Sequence, residues 1–216
     1  MIRWSGLLAV LGGVLWTATL VLVAFTADGS RDVIGFSERG WRTLLQNPAM
    51  LFFMAGLIGF HAKQAGRSGS LGKSGFVVCL LALGMMLLGT ITEYWVFELF
   101  YGTQHPGWAM TGVGFLLLPI GLLLFGIGTL KASVFSGWRR PVPFGFGLIL
   151  ALLILSGVAL MLLSGSRSQE GFLGAVLVSI AAGWAVLGYA LWSDKGKGVS
   201  RWDEGAGRPD SWKPNR

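Results

Sequence analysis

The chain is poor in charge. Of its 216 residues only 12% are Asp, Glu, Lys or Arg, about half the share of a soluble domain. Cysteine is almost missing. Cys79 stands alone inside an apolar run, which excludes an internal disulfide framework and a cysteine metal cluster; it reads as a small buried hydrophobe. The only histidines are His61 and His105, too few for a metalloenzyme that needs three imidazoles. They fall at opposite ends of the predicted helices, whereas a haem between two axial histidines needs both at similar depth in one bundle. No nucleophile elbow, phosphate loop or pair of catalytic carboxylates occurs. Nothing in the sequence argues for an enzyme, and no motif implies a cofactor.

What the chain does have is apolar length. Hydrophobic residues make up 53% of it, gathered into runs long enough to cross a hydrocarbon core about 30 Å thick. The fold class expected is an all-α integral membrane protein, a six-transmembrane-helix bundle with short loops. The helices are expected near residues 5–25, 48–65, 75–100, 108–130, 144–163 and 172–192. Together they form a membrane domain over 1–192, followed by a polar, basic tail over 193–216. The first run is too long for a signal-peptide core and lacks a good cleavage site, so it is read as a retained helix. Asn47-Pro48 reads as an N-cap followed by proline at the first helical position. Just before it, Trp41, Leu44 and Leu45 share one face at helical spacing, as in an interfacial segment. Residues 63–74 read as a Gly/Ser loop. Pro119, in the middle of helix four, is expected to kink or break it.

The net charge of +7 is a statement about topology, not about nucleic acid. Thirteen Lys and Arg lie on the side of the two termini and four on the other, which puts both termini in the cytoplasm and the protein in a plasma membrane. Trp4, Trp41, Trp95, Trp108, Trp138 and Trp192 fall near predicted helix ends, where interfacial anchors belong. A possible repeat, Gly40-Trp41 against Gly107-Trp108, uses residues common in membrane helices and is read as chance.

The stretch Thr90–Trp108 departs most from the apolar pattern, with Glu93, Glu98 and His105 among aromatics. Apolar residues from Phe76 to Thr92 cover about 25 Å at 1.5 Å per residue, so Glu93 falls near the hydrocarbon edge. The plainer reading is a carboxylate at headgroup level, held by water or Arg42. The sharper one is a proton or cation site. A metal site from Glu93, Glu98 and His105 is disfavoured, because five residues turn the two carboxylates about 140° apart around a helix.

In helix six, Gly171, Ala175, Ser179 and Gly183 recur every four residues as a small ridge that lets another helix approach, preferably one of the same chain. Trp16 and Trp184 sit near mid-membrane, where an indole N–H needs an acceptor such as Thr19 or Ser179. Packing is the first explanation for them; a binding face for a flat apolar cofactor (quinone, carotenoid or porphyrin) is the second. In the tail, Trp202 and Trp212 are candidate anchors on another polypeptide.

Two functions compete. In the favoured one the protein is a non-catalytic accessory or packing subunit of a larger membrane complex, in contact with the bilayer and with other membrane subunits, its tail serving as a contact. In the alternative it is a small transporter or channel for a proton, cation or small solute, using Glu93 and a helix broken at Pro119. Convergence of Thr90, Glu93, Thr111 and Pro119 on one polar cavity would favour transport.

Overall fold

A backbone inside hydrocarbon has no water to satisfy its N–H and C=O groups, so each apolar run closes its own hydrogen bonds as a helix. The computed structural model describes residues 2–26, 38–64, 66–97, 106–164 and 169–193. Among these every regular element is helical, and six helices are long and apolar enough to cross a membrane. They are α1 (Ile2–Thr26), α2 (its main part Asn47–Gln64), α3 (Gly69–Ile91), α4 (Pro106–Ala132), α5 (Val142–Ser164) and α6 (Gln169–Trp192). Glu98, His105 and the tail with Trp202 and Trp212 lie outside the described residues.

Two boundaries and one expected break differ from the reading of the sequence. Helix α2 begins early: an α-turn at Glu38–Trp41 and a π segment at Arg42–Gln46 run straight into Asn47. Asn47 is therefore not an N-cap; it has helical φ and ψ of −65° and −47°. Pro48 withdraws one backbone donor from this stretch, and the widened π turn lies where that donor is missing. The π geometry also splits the expected interfacial face, turning Trp41 inward and leaving Leu44 exposed. Helix α3 starts at Gly69 and α2 runs to Gln64, so two-thirds of the expected 63–74 loop is helical; α3 continues beyond Ile91 as a second π segment, Thr92–Phe97. Pro119 does not break α4, which is continuous from Pro106 to Ala132.

The start of α1 meets the end of α6: Gly6 packs on Gly188 and Trp192. Both ends of the described bundle therefore share one face, called here the terminal face. The opposite one is the far face. Round the bundle each helix touches its sequence neighbours, and α6 closes the ring on α1. The packing is uneven. The layers α6–α1–α2 and α3–α4–α5 are tightly joined within themselves, while α2–α3 and α5–α6 meet more loosely.

Glycine explains the tight contacts. A side chain at Gly13 would strike the Ala181 carbonyl, one at Gly56 would strike Ala9, and one at Gly75 would strike the backbone of Leu124 and Phe125. Gly72 and Gly128 face each other directly. Lipid gives helices no hydrophobic reason to associate, so close approach and the dispersion it brings carry the association.

Aromatic rings fill the looser seams. Phe60 of α2 lies 5.7 Å from Phe125 of α4, His61 stacks on Phe76 of α3 at 4.0 Å, and Phe146 of α5 stands edge-on to Trp184 of α6 at 5.9 Å. The outward faces stay apolar, with Val14, Leu81, Leu88, Leu116 and Leu155 about half exposed or more. Such a surface belongs in contact with bilayer lipid.

Candidate functional site

The far face gathers polar side chains at the point where α2, α3 and α4 meet. The first π segment ends there and the second begins there. Asn47 of α2 accepts a hydrogen bond through Oδ1 from the Thr90 hydroxyl of α3, at 2.9 Å. Thr90 is bifurcated, being equally close to the Leu87 carbonyl. Glu93 follows one turn later, buried to 7% exposure, with its Cβ and amide against Gly107 at the start of α4. Gly107 in turn gives its carbonyl to the Thr111 hydroxyl at 3.0 Å. Gln46, next to Asn47, is buried with its Oε1 lacking a hydrogen-bond partner.

Of the four residues whose convergence was to discriminate the functions, Thr90, Glu93 and Thr111 come together. Pro119 lies eight residues along α4 from Thr111, about 12 Å away. Asn47, read from the sequence only as an N-cap, joins them through Thr90, whereas Gln46 sits in the π segment that packs against α1. Among the described residues no group of three or more His, Cys, Asp or Glu is placed to hold a metal ion; the Glu93–Glu98–His105 combination extends beyond them.

A second polar group sits at the terminal face of the α2–α3 seam. Gln64 is fully buried and neither amide atom has a hydrogen-bond partner; Ser68, nearly as buried, leaves its hydroxyl unpaired. Its Cβ packs over Gly72. Nearby, the Lys63 ammonium stands 4.9 Å above the Phe135 ring, and Arg140 donates to the Leu130 carbonyl at the end of α4. Helix α2 thus carries a buried amide at each of its ends. Between them it buries only Ala49, Met50, Phe53, Gly56, Leu57, Gly59 and Phe60.

Trp16 and Trp184 are core side chains, 1% and 0% exposed. Phe53 lies between them, 5.8 Å from Trp16 and stacked on Trp184 at 4.7 Å. Neither expected acceptor, Thr19 nor Ser179, receives an indole N–H. The Thr19 hydroxyl donates to Leu15, that of Ser179 to Ala175, and both indole N–H groups lack a hydrogen-bond partner. Phe53 touches both rings and Phe146 stands edge-on to Trp184.

The small ridge of α6 is divided. Gly183 lies under the Phe146 ring of α5, Ser179 lines a groove beside it, and Ala175 is exposed. Gly171 lies within α6, its surroundings outside the described residues. Comparison with protein-family models, curated proteins and solved structures found no match to this chain.

Proposed function

We propose that this multi-pass membrane protein is a non-catalytic accessory or packing subunit of a larger membrane complex, with both termini in the cytoplasm and the bilayer in question a plasma membrane. The observation that carries this reading is the interior of the bundle. From Met50 through Phe53, Leu57 and Phe60 to Phe125, the space between helices is filled by large apolar side chains at full burial. Polar side chains cluster at both ends of the α2–α3 seam, so among the described residues no polar path joins the two faces there. Outward-facing small residues add support: a side chain at Gly112 or Gly174 would meet nothing within 4 Å, which leaves room for a neighbouring helix to come close.

Purification from native membranes in a mild detergent tests this. A polypeptide should co-migrate in fixed ratio. A single species that instead carries cations across liposomes, and loses the flux in Glu93→Gln, would overturn the accessory reading. That outcome would support the second one, transport, which is favoured by the meeting of Asn47, Thr90, Glu93 and Thr111 at the far face. Orientation has its own test, motivated by the thirteen-to-four charge count. Single cysteines at Ser30 and Gly69 should be labelled from opposite sides of intact cells, Ser30 from outside. Labelling of both from one side would refute the six-span topology with cytoplasmic termini.

A further inference from the structure

The glycines divide the bundle into two bodies. Among the described residues, every glycine whose side chain would strike the backbone of another helix strikes one in its own layer. Gly13 of α1 meets Ala181 of α6, Gly121 of α4 meets Cys79 of α3, and Gly126 of α4 meets Phe144 of α5. Where a glycine faces the other layer, it meets the end of a side chain: the Met54 methyl at Gly84 and the Phe146 ring at Gly183. Main chain packed on main chain cannot part by a change of rotamer, whereas ring and methyl contacts can slide. In a bilayer, opening such a seam costs only its dispersion contacts, because acyl chains take the place of the rings.

The two ends of the α2–α3 seam are built differently. Toward the terminal face, rings lie against each other, Phe60 with Phe125 and His61 with Phe76. Here the chain crosses from one layer to the other, through a turn in which the Arg67 amide donates to the Gln64 carbonyl at 3.0 Å. Gly66 and Gly69 of that turn have φ of +83° and +61°, with nothing within 4 Å of where a side chain would begin. Glycines so placed can absorb a change of direction at little cost. Toward the far face the seam is crossed by the Asn47–Thr90 hydrogen bond, which Thr90 shares with the Leu87 carbonyl. Asn47 follows directly on one π segment and Thr90 stands two residues before the other. Each of these segments packs into its own layer, the first against α1 and the second against α4. The opposite seam, α5–α6, is incompletely filled and leaves a groove of about 350 Å³, room into which the layers can shift.

We propose that the α2–α3 seam is a gate at the far-face polar site. The layers α6–α1–α2 and α3–α4–α5 move as two bodies about the Gly66–Gly69 turn, and the Asn47–Thr90 bond is the latch that holds the seam shut. Opening parts Asn47 from Thr90 and brings the Thr90 side chain, 4% exposed with the latch closed, to the surface. The motion belongs to the single chain, so its test does not depend on the accessory reading.

Pairs of spin labels on the full chain in nanodiscs, in a Cys79→Ala background and read by double electron–electron resonance, test this. The labels take exposed positions: Leu51 and Leu88 across the far end of the seam, Ile58 and Val77 across its terminal end, and Leu88 and Val113 within one layer. The Leu51–Leu88 pair should show a short distance and a minor long one. Thr90→Val, which removes the donor hydroxyl at nearly constant shape, should raise the long-to-short ratio about fivefold, the worth of one hydrogen bond. Asn47→Ala, which removes the acceptor instead, should do the same, and circular dichroism checks that each variant keeps its helix content. The other two pairs should keep one distance in every variant. A Leu51–Leu88 ratio that neither folded variant changes would overturn the proposal. So would a second distance at Ile58–Val77 as large as that at the far end, because the layers would then part as a whole without a hinge. A second distance at Leu88–Val113 would overturn it too, since α3 and α4 would not be one body.

Discussion

Gly75→Leu should destabilise the bundle by about 3 kcal/mol or more and lower its melting temperature in detergent, while Gly112→Leu should change it by no more than about 0.5 kcal/mol. The two substitutions add the same atoms to membrane helices of similar composition. They differ in what the new side chain meets. At Gly75 it would run into the main chain of Leu124 and Phe125, and backbone inside a continuous helix cannot turn aside as a rotamer can. Helices α3 and α4 would have to separate along much of their length, losing the dispersion contacts of the most extensive interface in the molecule. At Gly112 the side chain would enter open space outside the bundle. Equal melting temperatures for the two variants would show that close approach at Gly75 does not hold α3 to α4.

Phe53→Ala should cost about 3 kcal/mol, the lower end of the range for removing a buried aromatic ring. In a membrane the transfer part of that cost shrinks, because lipid solvates a phenyl ring nearly as well as the core does. The cavity part remains. Phe53 is 1% exposed and touches both Trp16 and Trp184, so its removal takes one packing neighbour from each of two indoles whose N–H groups have no hydrogen-bond partner among the described residues. Phe53→Leu, which keeps most of the volume, should cost roughly 1 kcal/mol. Reversible unfolding in a detergent–denaturant titration measures both. A Phe53→Ala loss no larger than that of Phe53→Leu would mean that the space collapses and that the ring is not a keystone between the two tryptophans.

Hydropathy alone made the six spans readable, because the backbone's need to satisfy itself in hydrocarbon leaves no alternative to helix. Local signals misled where tertiary contact decided the matter. Gly69–Ser74 is Gly- and Ser-rich and reads as loop, yet it is helical, with Gly72 pressed against Gly128 of α4. Asn47-Pro48 carries the residues of a helix start, but the chain before it is already helical and the asparagine is spent on Thr90. The π segments have no sequence signature beyond their placement beside Pro48 and at the end of a long apolar run. At the candidate site Thr90, Glu93 and Thr111 were visible as polar interruptions of apolar helices. Gln46 and Gln64 were not, since an amide near a helix end is ordinarily solvated, and only the packed structure places them inside.

The closure of the ring by α6 on α1 has a consequence for how the protein is made. Helices α3, α4 and α5 follow one another from the ribosome and can pair as they emerge. Helix α1, which precedes the other five, has one of its principal partners in the sixth. Translation at about 5–20 residues per second leaves the glycine face of α1, Gly6 and Gly13, uncovered for roughly ten seconds or longer before α6 is complete. During that interval the small residues that later join α1 to α6 are available to any other helix with a matching face. Chains cut short before α6 therefore present a persistent, lipid-exposed small-residue surface on α1, which is a feature a membrane quality-control protease or insertase can recognise.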